Sequence, residues 1–315
     1  MRHSFSTRHI TRLLRPIILL TGLITSVAFA TGGAPTGKGN GRIAFVSNRE
    51  NVEKIYTMNP DGSGLTQLTG GPHQLQPAWS PDGTKIAYMD RLKDATAIYL
   101  MNADGSDSRL LVSDIFHNVN LAWSPDGTKI AFCSIAKEEG SGSQFSLHVI
   151  NTDGSNEVRL AEGSGSPSWS PDGKQIAFTT FRGIDLINAD GTNRRQLTRL
   201  DTWVLRSLAW SPDGKEIVFG STRSSSDKDG NEGSRFTIET ISADGSDGNN
   251  SRLLADGRNP SWSPDGSKIV FERTSTGGTT QIWVMSREGK NKTQLTDTGT
   301  NWSPSWQPLL VTTRI

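Results

Sequence analysis

Five copies of Trp-Ser-Pro-Asp-Gly begin at Trp79, Trp123, Trp169, Trp210 and Trp262, at intervals of 41 to 52 residues, and a degenerate sixth, Trp306-Gln307-Pro308, follows near the C-terminus. A repeat in the forties with several short strands per unit is the signature of propeller blades, so this periodicity settles the fold class before any other pattern is weighed. After each Pro-Asp-Gly turn comes a β-branched and aromatic run, such as Lys85-Ile86-Ala87-Tyr88 or Lys268-Ile269-Val270-Phe271. These runs are strands by composition and by period. A further run, as in Ile98-Tyr99-Leu100-Met101-Asn102, leads into an Asp-Gly turn, and a short segment such as Gln196-Leu197-Thr198 makes a fourth strand. One such unit cannot bury both of its faces alone, and its repeats must stack radially and close.

The two ends of the chain supply the closure. Residues 42 to 69 hold the second, third and fourth strands of a unit without a leading Trp strand, whereas Pro304-Ser305-Trp306 is a Trp strand with nothing after it. Together they complete one blade. The expected fold is all-β: a six-bladed β-propeller of four-stranded blades over residues 41–310, with the C-terminal strand pairing beside residues 42 to 46 and a short tail at 311–315.

Residues 1–30 read as a signal peptide. Arg2, Arg8, Arg12 and Arg15 precede an apolar stretch at 17–29, and Ala28-Phe29-Ala30 fits a small-x-small cleavage site. A linker at 31–40 would follow. Without those four arginines the chain keeps 29 basic and 32 acidic residues, a near-neutral balance that gives no reason to expect nucleic acid. No transmembrane span is expected in the mature chain. The single cysteine, Cys133, follows an apolar run and reads as a small core residue.

The repeated Trp-Ser-Pro-Asp-Gly-x-x-Ile-Ala-Phe, followed by Ile-Tyr-x-Met-Asn-x-Asp-Gly and Leu-Thr, resembles the TolB-like β-propeller repeat over about residues 40 to 310. The resemblance implies an exported bacterial protein, periplasmic or secreted. The family's namesake binds the lipoprotein Pal through its propeller and carries an α/β domain ahead of it. Only about ten residues separate the expected cleavage site from the first strand here, so a propeller-only member is expected. Oligogalacturonate lyases share the repeat and are expected to bring a histidine-rich metal site.

Strand direction assigns two faces. In an antiparallel blade the first-to-second and third-to-fourth connections lie on one face, the second-to-third and blade-to-blade connections on the other. Ser-Pro-Asp-Gly and the later Asp-Gly turns put short, regular turns on the first face, and these explain the recurring aspartates without a metal array. The second face holds the length variation, with segments 133 to 146 and 220 to 236 expected as long polar loops, where binding groups usually sit. Asp227-Lys228-Asp229-Gly230-Asn231 begins like a calcium loop but lacks the later Gly and Glu, and reads as a solvated insertion.

Candidate binding residues fall on this second face. His73 and His117 each lie six residues before their blade's tryptophan and are expected on neighbouring blades near the central opening, where they are also the weak candidates for a metal site, with Asp256 across the channel. His148 occupies the register of Tyr56, Tyr99, Asp185, Glu239 and Trp283 and reads as an ordinary strand side chain. Arg49, Arg182 and Arg223 each follow the second-strand aromatic by four residues, with Arg91 and Arg273 slightly earlier. They would bind carboxylates as guanidinium forks, or else pair with acids such as Glu50, Asp90 or Glu272. Trp203, outside the repeated register, offers an aromatic platform.

The functional expectation is a non-catalytic exported scaffold that binds an envelope protein or peptide, or an acidic glycan, through the long-loop face. No Gly-x-Ser-x-Gly elbow, His-Glu-x-x-His pair or phosphate loop is present, and no cofactor is expected. The alternative is a metal-assisted polysaccharide lyase or hydrolase, related to oligogalacturonate lyase, acting at the channel mouth with His73 and His117.

Overall fold

A computed structural model describes residues 38–310 apart from 94, 116–119, 137–143, 164, 200–206 and 227–231. The expected signal peptide and most of the linker lie outside these residues, as do His117, Trp203 and the Asp227–Asn231 run.

Among the described residues twenty-four strands form six antiparallel four-stranded sheets. Blade 1 contains β1 (Lys38–Ser47), β2 (Lys54–Met58) and β3 (Thr66–Gln67), and β24 (Asn301–Leu310) is its innermost strand. Blade 2 is β4 (Gln74–Trp79), β5 (Lys85–Arg91), β6 (Thr96–Asn102) and β7 (Arg109–Ile115). Blade 3 is β8 (Ala122–Trp123), β9 (Lys129–Ala136), β10 (Gln144–Asn151) and β11 (Val158–Glu162). Blade 4 is β12 (Gly165–Trp169), β13 (Gln175–Thr180), β14 (Gly183–Asn188) and β15 (Arg195–Arg199). Blade 5 is β16 (Ser207–Trp210), β17 (Glu216–Ser226), β18 (Glu232–Ser242) and β19 (Arg252–Asp256). Blade 6 is β20 (Arg258–Trp262), β21 (Lys268–Thr274), β22 (Thr280–Ser286) and β23 (Thr293–Gln294).

The closure follows the expected register and extends it. Ile43 faces Trp306 and Ala44 faces Ser305 across β1 and β24, and the pairing runs outward to Lys38 opposite Leu310. All six innermost strands line one central channel, each contributing residues just before its tryptophan position, such as Ala78, Ala122 and Ser305. In four of them the residue three before the tryptophan has positive φ and precedes proline: Gln76, Ser166, Asn259 and Ser303. In β4, β12 and β20 this residue falls within a register shift against the next strand. Proline removes a ladder donor, so it is accommodated at such a bulge rather than in regular pairing.

The core is a radial stack. The second-strand aromatics Phe45, Phe132, Phe178, Phe219 and Phe271 are almost fully buried, with Tyr88 of blade 2 nearly so. Each belongs to an apolar run buried on both faces, because every blade is covered by two neighbours. The repeated tryptophans add a polar link between blades. Nε1 of Trp123, Trp169 and Trp262 donates to the carbonyls of Ala78, Ala122 and Ala209, each on the inner strand of the preceding blade, at 3.0 to 3.2 Å. Cys133 is buried with the core, and burial pushes its thiol up to about 12, as expected of an inert packing residue.

The turn face repeats one device. Ser80 Oγ donates to Asp82 Oδ1 at 2.5 Å and accepts from the Lys85 amide at 2.9 Å. The same two bonds recur from Ser124, Ser170, Ser211 and Ser263. Third-to-fourth turns join this face directly: the amides of Ala103, Thr152, Ala189, Ala243 and Arg287 donate to carbonyls in the first-to-second turns. The aspartates are therefore consumed by local structure, and the turn reading holds.

One turn differs from its copies because it abuts the seam. Gly83 and Gly127 both have left-handed φ, 69° and 72°. A Cβ at Gly127 would meet only Pro81, at 3.8 Å, whereas one at Gly83 would overlap the carbonyl oxygen of Pro308 in β24. Gly127→Ala should then cost about 1–2 kcal/mol for the backbone conformation alone. Gly83→Ala should cost at least about 1 kcal/mol more from overpacking the seam. Urea unfolding of the two variants checks this, and equal midpoints would contradict the seam geometry.

Candidate functional site

The second-to-third and blade-to-blade connections meet on the opposite face. There the amide of Arg91 donates to His73 O, Gly163 to Phe145 O, Gly257 to Phe236 O and Asn48 to Thr300 O. The described residues of the two segments expected as long loops are strand. In blade 5, β17 and β18 pair continuously from Glu216 opposite Ser242 to Ser226 opposite Glu232. In blade 3, β9 and β10 pair out to Ala136 opposite Gln144. Serine and threonine in these runs suit a two-sided polar ribbon, so polarity by itself does not mark a loop.

The candidate arginines do not form one ring of free forks. Arg223 is committed to the fold: Nε and Nη2 donate to the two carboxylate oxygens of Glu239 at 2.7 and 2.5 Å. Glu239 is 2% exposed and also accepts from Ser221, Thr237 and Ser251. Burial pushes this carboxyl up, but the bonds from Arg223, Ser221, Ser251 and Thr237 outweigh it and hold the group at about 2. Arg49 lies over the Tyr56 ring at 4.8 Å and donates to Ser47 and Asn301. Its neighbour Glu50 pairs with Lys54 instead. Arg91 lies 3.7 Å from Glu53, not paired with Asp90, and Arg273 stacks over Trp283. The buried Glu272 is taken by Arg258 at 2.8 Å, by Asn259 and by the Ser303 amide. Among the arginines named from the sequence, Arg182 and Arg273 have no guanidinium ion pair or hydrogen bond to other described residues, and of these two Arg273 is stacked on Trp283.

His73 is exposed, with φ of 66°, and its Nδ1 is 3.0 Å from Glu53 of blade 1. It faces the neighbouring blade; the described channel lining is formed by the residues that follow it. Arg91 shares the same carboxylate, so a cation placed on His73 and Glu53 would be opposed by a guanidinium. Asp256, expected across the channel, pairs with Arg235 at 3.4 Å. Among the described residues no three His, Cys, Asp or Glu side chains converge on a cation-sized site. His148 is as expected, a strand residue whose ring stacks on Phe132 at 5.3 Å; burial lowers its pKa against the pull of Glu157.

Two clefts open on this face between blades. One, of about 400 Å³ between blades 3 and 4, is bordered by Phe145, Phe181, Arg182 and Arg194. The other, of about 220 Å³ between blades 5 and 6, is bordered by Arg235, Phe236, Arg258 and Arg273. Sequence reasoning missed the aromatic member of each. The available signal for Phe181 was a phenylalanine in a two-residue connection, Thr180 being paired with Gly183, where no side of a blade can cover it.

The chain matches the TolB beta propeller domain family over residues 33–310. A protein TolB homolog of Chlorobaculum tepidum is 35% identical over 125 residues, which are 39% of this chain and 27% of that protein. The chain thus spans under a third of that relative's length. The crystal structure of TolB from Acinetobacter baumannii superposes with a TM-score of 0.70 at 23% identity, over 85% of this chain and 66% of that one. An oligogalacturonate lyase in complex with manganese superposes with a TM-score of 0.53 at 16% identity, over 80% of this chain and 72% of the lyase. At these identities the structural likenesses speak for the fold. Among the described residues no helix is long and apolar enough to cross a membrane.

Proposed function

The chain belongs to the TolB β-propeller domain family, and we propose that it is an exported, non-catalytic scaffold that holds an envelope protein through its loop face. The observation that carries this reading is the contrast between the two faces. The turn face commits its aspartates and serines to local bonding repeated in five turns, whereas the loop face gathers inter-blade clefts, exposed aromatics and arginines. Rigid scaffolds present binding groups on the face where connections vary. The lyase alternative is not favoured, since His73 is engaged by Glu53 beside Arg91.

Affinity capture from a bacterial envelope extract tests the proposal. Residues 31–315 should retain a protein that is also retained by the turn-face variant Lys174→Glu. That protein should be lost from at least one loop-face charge reversal among Arg91→Glu, Arg182→Glu, Arg235→Glu and Arg273→Glu. No retained protein, or one lost only through Lys174→Glu, would overturn it.

A further inference from the structure

We propose that the cleft between blades 3 and 4 is a docking notch for a peptide that sets an apolar side chain beside a carboxylate. This rests on the binding-scaffold reading and names one site and one partner chemistry within it.

Three features converge there. Phe181 is 83% exposed at the tip of the β13–β14 hairpin, and its ring meets Phe145 of blade 3 at 6.5 Å with an interplanar angle of 67°. Two rings set edge to face make an angular notch that fits a branched or aromatic side chain, whereas a sugar ring stacks on a flat platform. Arg182, next in sequence, brings to the same cleft a guanidinium without a partner among the described residues. Its backbone is fixed: the amide donates to Thr180 Oγ1 at 3.2 Å and the carbonyl accepts from Gln196 at 3.5 Å. Arg194, on the floor, is already satisfied by Asp185 at 2.8 Å and lies over the Phe178 ring at 5.1 Å. Glu162 at the rim pairs with Arg159. Among the described residues of the cleft, the unbalanced charge is therefore the positive one of Arg182. A carboxylate from outside completes it with a forked pair, while the adjoining apolar group buries against Phe145 and Phe181.

The phenylalanine's exposure also fits an incoming partner. A two-residue connection between tightly paired strands keeps Phe181 from folding back into its own blade, so its apolar surface is left for another molecule.

Selection of random displayed heptapeptides on the immobilised 31–315 protein tests the proposal without a known partner. The expected result is enrichment of sequences with Asp or Glu next to an aliphatic or aromatic residue. The best of these, made synthetically, should bind the wild type and Arg235→Glu, Arg273→Glu protein alike. Its affinity should fall about tenfold or more in Arg182→Glu and in Phe181→Ala, both substitutions at exposed positions. The proposal is overturned by basic or patternless selections, by peptides that bind Arg182→Glu and Phe181→Ala undiminished, or by an oligogalacturonate that occupies the cleft in place of peptide. Undiminished binding in those variants would leave the scaffold reading standing with its site elsewhere, whereas failed envelope capture with intact peptide binding would do the reverse.

Discussion

A chain ending at Thr300 will show no cooperative thermal transition, because removing β24 takes the inner strand from blade 1 and opens the ring. The loss is large on each separate count. Trp306, 4% exposed, packs with Ile43, Phe45 and Tyr56, and deleting a buried aromatic costs about 3–5 kcal/mol. β1 loses its ladder from Lys38 to Ser47, at about 1 kcal/mol net per hydrogen bond. Glu272 loses the Ser303 amide, and Trp79 loses the Ser305 hydroxyl that accepts from its own amide. The sum reaches the whole stability of a typical domain, about 5–15 kcal/mol. Near-UV circular dichroism during heating checks the outcome; an unchanged transition would contradict the closure.

Glu239→Ala will be the most damaging single substitution on the loop face. It removes the acceptor for Arg223 and for the buried hydroxyls of Ser221 and Thr237 at one stroke. Breaking a buried pair from one side costs about 3–5 kcal/mol, and the low end applies because Arg223 is 40% exposed and can rehydrate. The acid limb gives an independent signature. The carboxyl sits at about 2 in the fold against 4.5 ordinarily, so its contribution is complete above pH 4.5 and is lost as pH falls toward 2. Glu239→Gln, which cannot ionise, should lose less stability than the wild type across that window. Parallel acid limbs for the two proteins would show that Arg223 does not hold the charged form.

The sequence showed periodic features clearly and paired ones poorly. The tryptophan register, the turn chemistry and the split blade were legible because each follows from local propensity repeated at a fixed interval, and a closed ring admits no other arrangement of a half blade at each end. The binding candidates were less so. Arg182 and Arg223 share a register, four residues beyond a second-strand phenylalanine, yet Arg182 is unpaired among the described residues and Arg223 is tied into the network around Glu239. What separates them is the third strand across the ladder. Glu239 stands opposite Phe219 and reaches Arg223 along the hairpin, whereas Asp185 opposite Phe178 is claimed by Arg194, just ahead of the outer strand. Such choices depend on side-chain reach between strands and leave no periodic trace. The Phe145–Phe181 notch is harder still to read, because it joins two blades through residues whose sequence neighbours lie in different sheets.

The ring itself is open to a direct measurement. Asn40 on β1 and Pro308 on β24 are opposed across the seam, and both lie toward the surface. Cysteines at opposed positions of an antiparallel pair fall within disulfide reach, and Cys133 is buried with its thiol at about 12, so it stays silent. Mild oxidation of the folded Asn40→Cys, Pro308→Cys protein should give an intramolecular disulfide, leaving Cys133 as the one thiol counted after denaturation. Three free thiols in protein that is nonetheless folded would mean that the chain's two ends do not meet, and the six-bladed closure would be wrong.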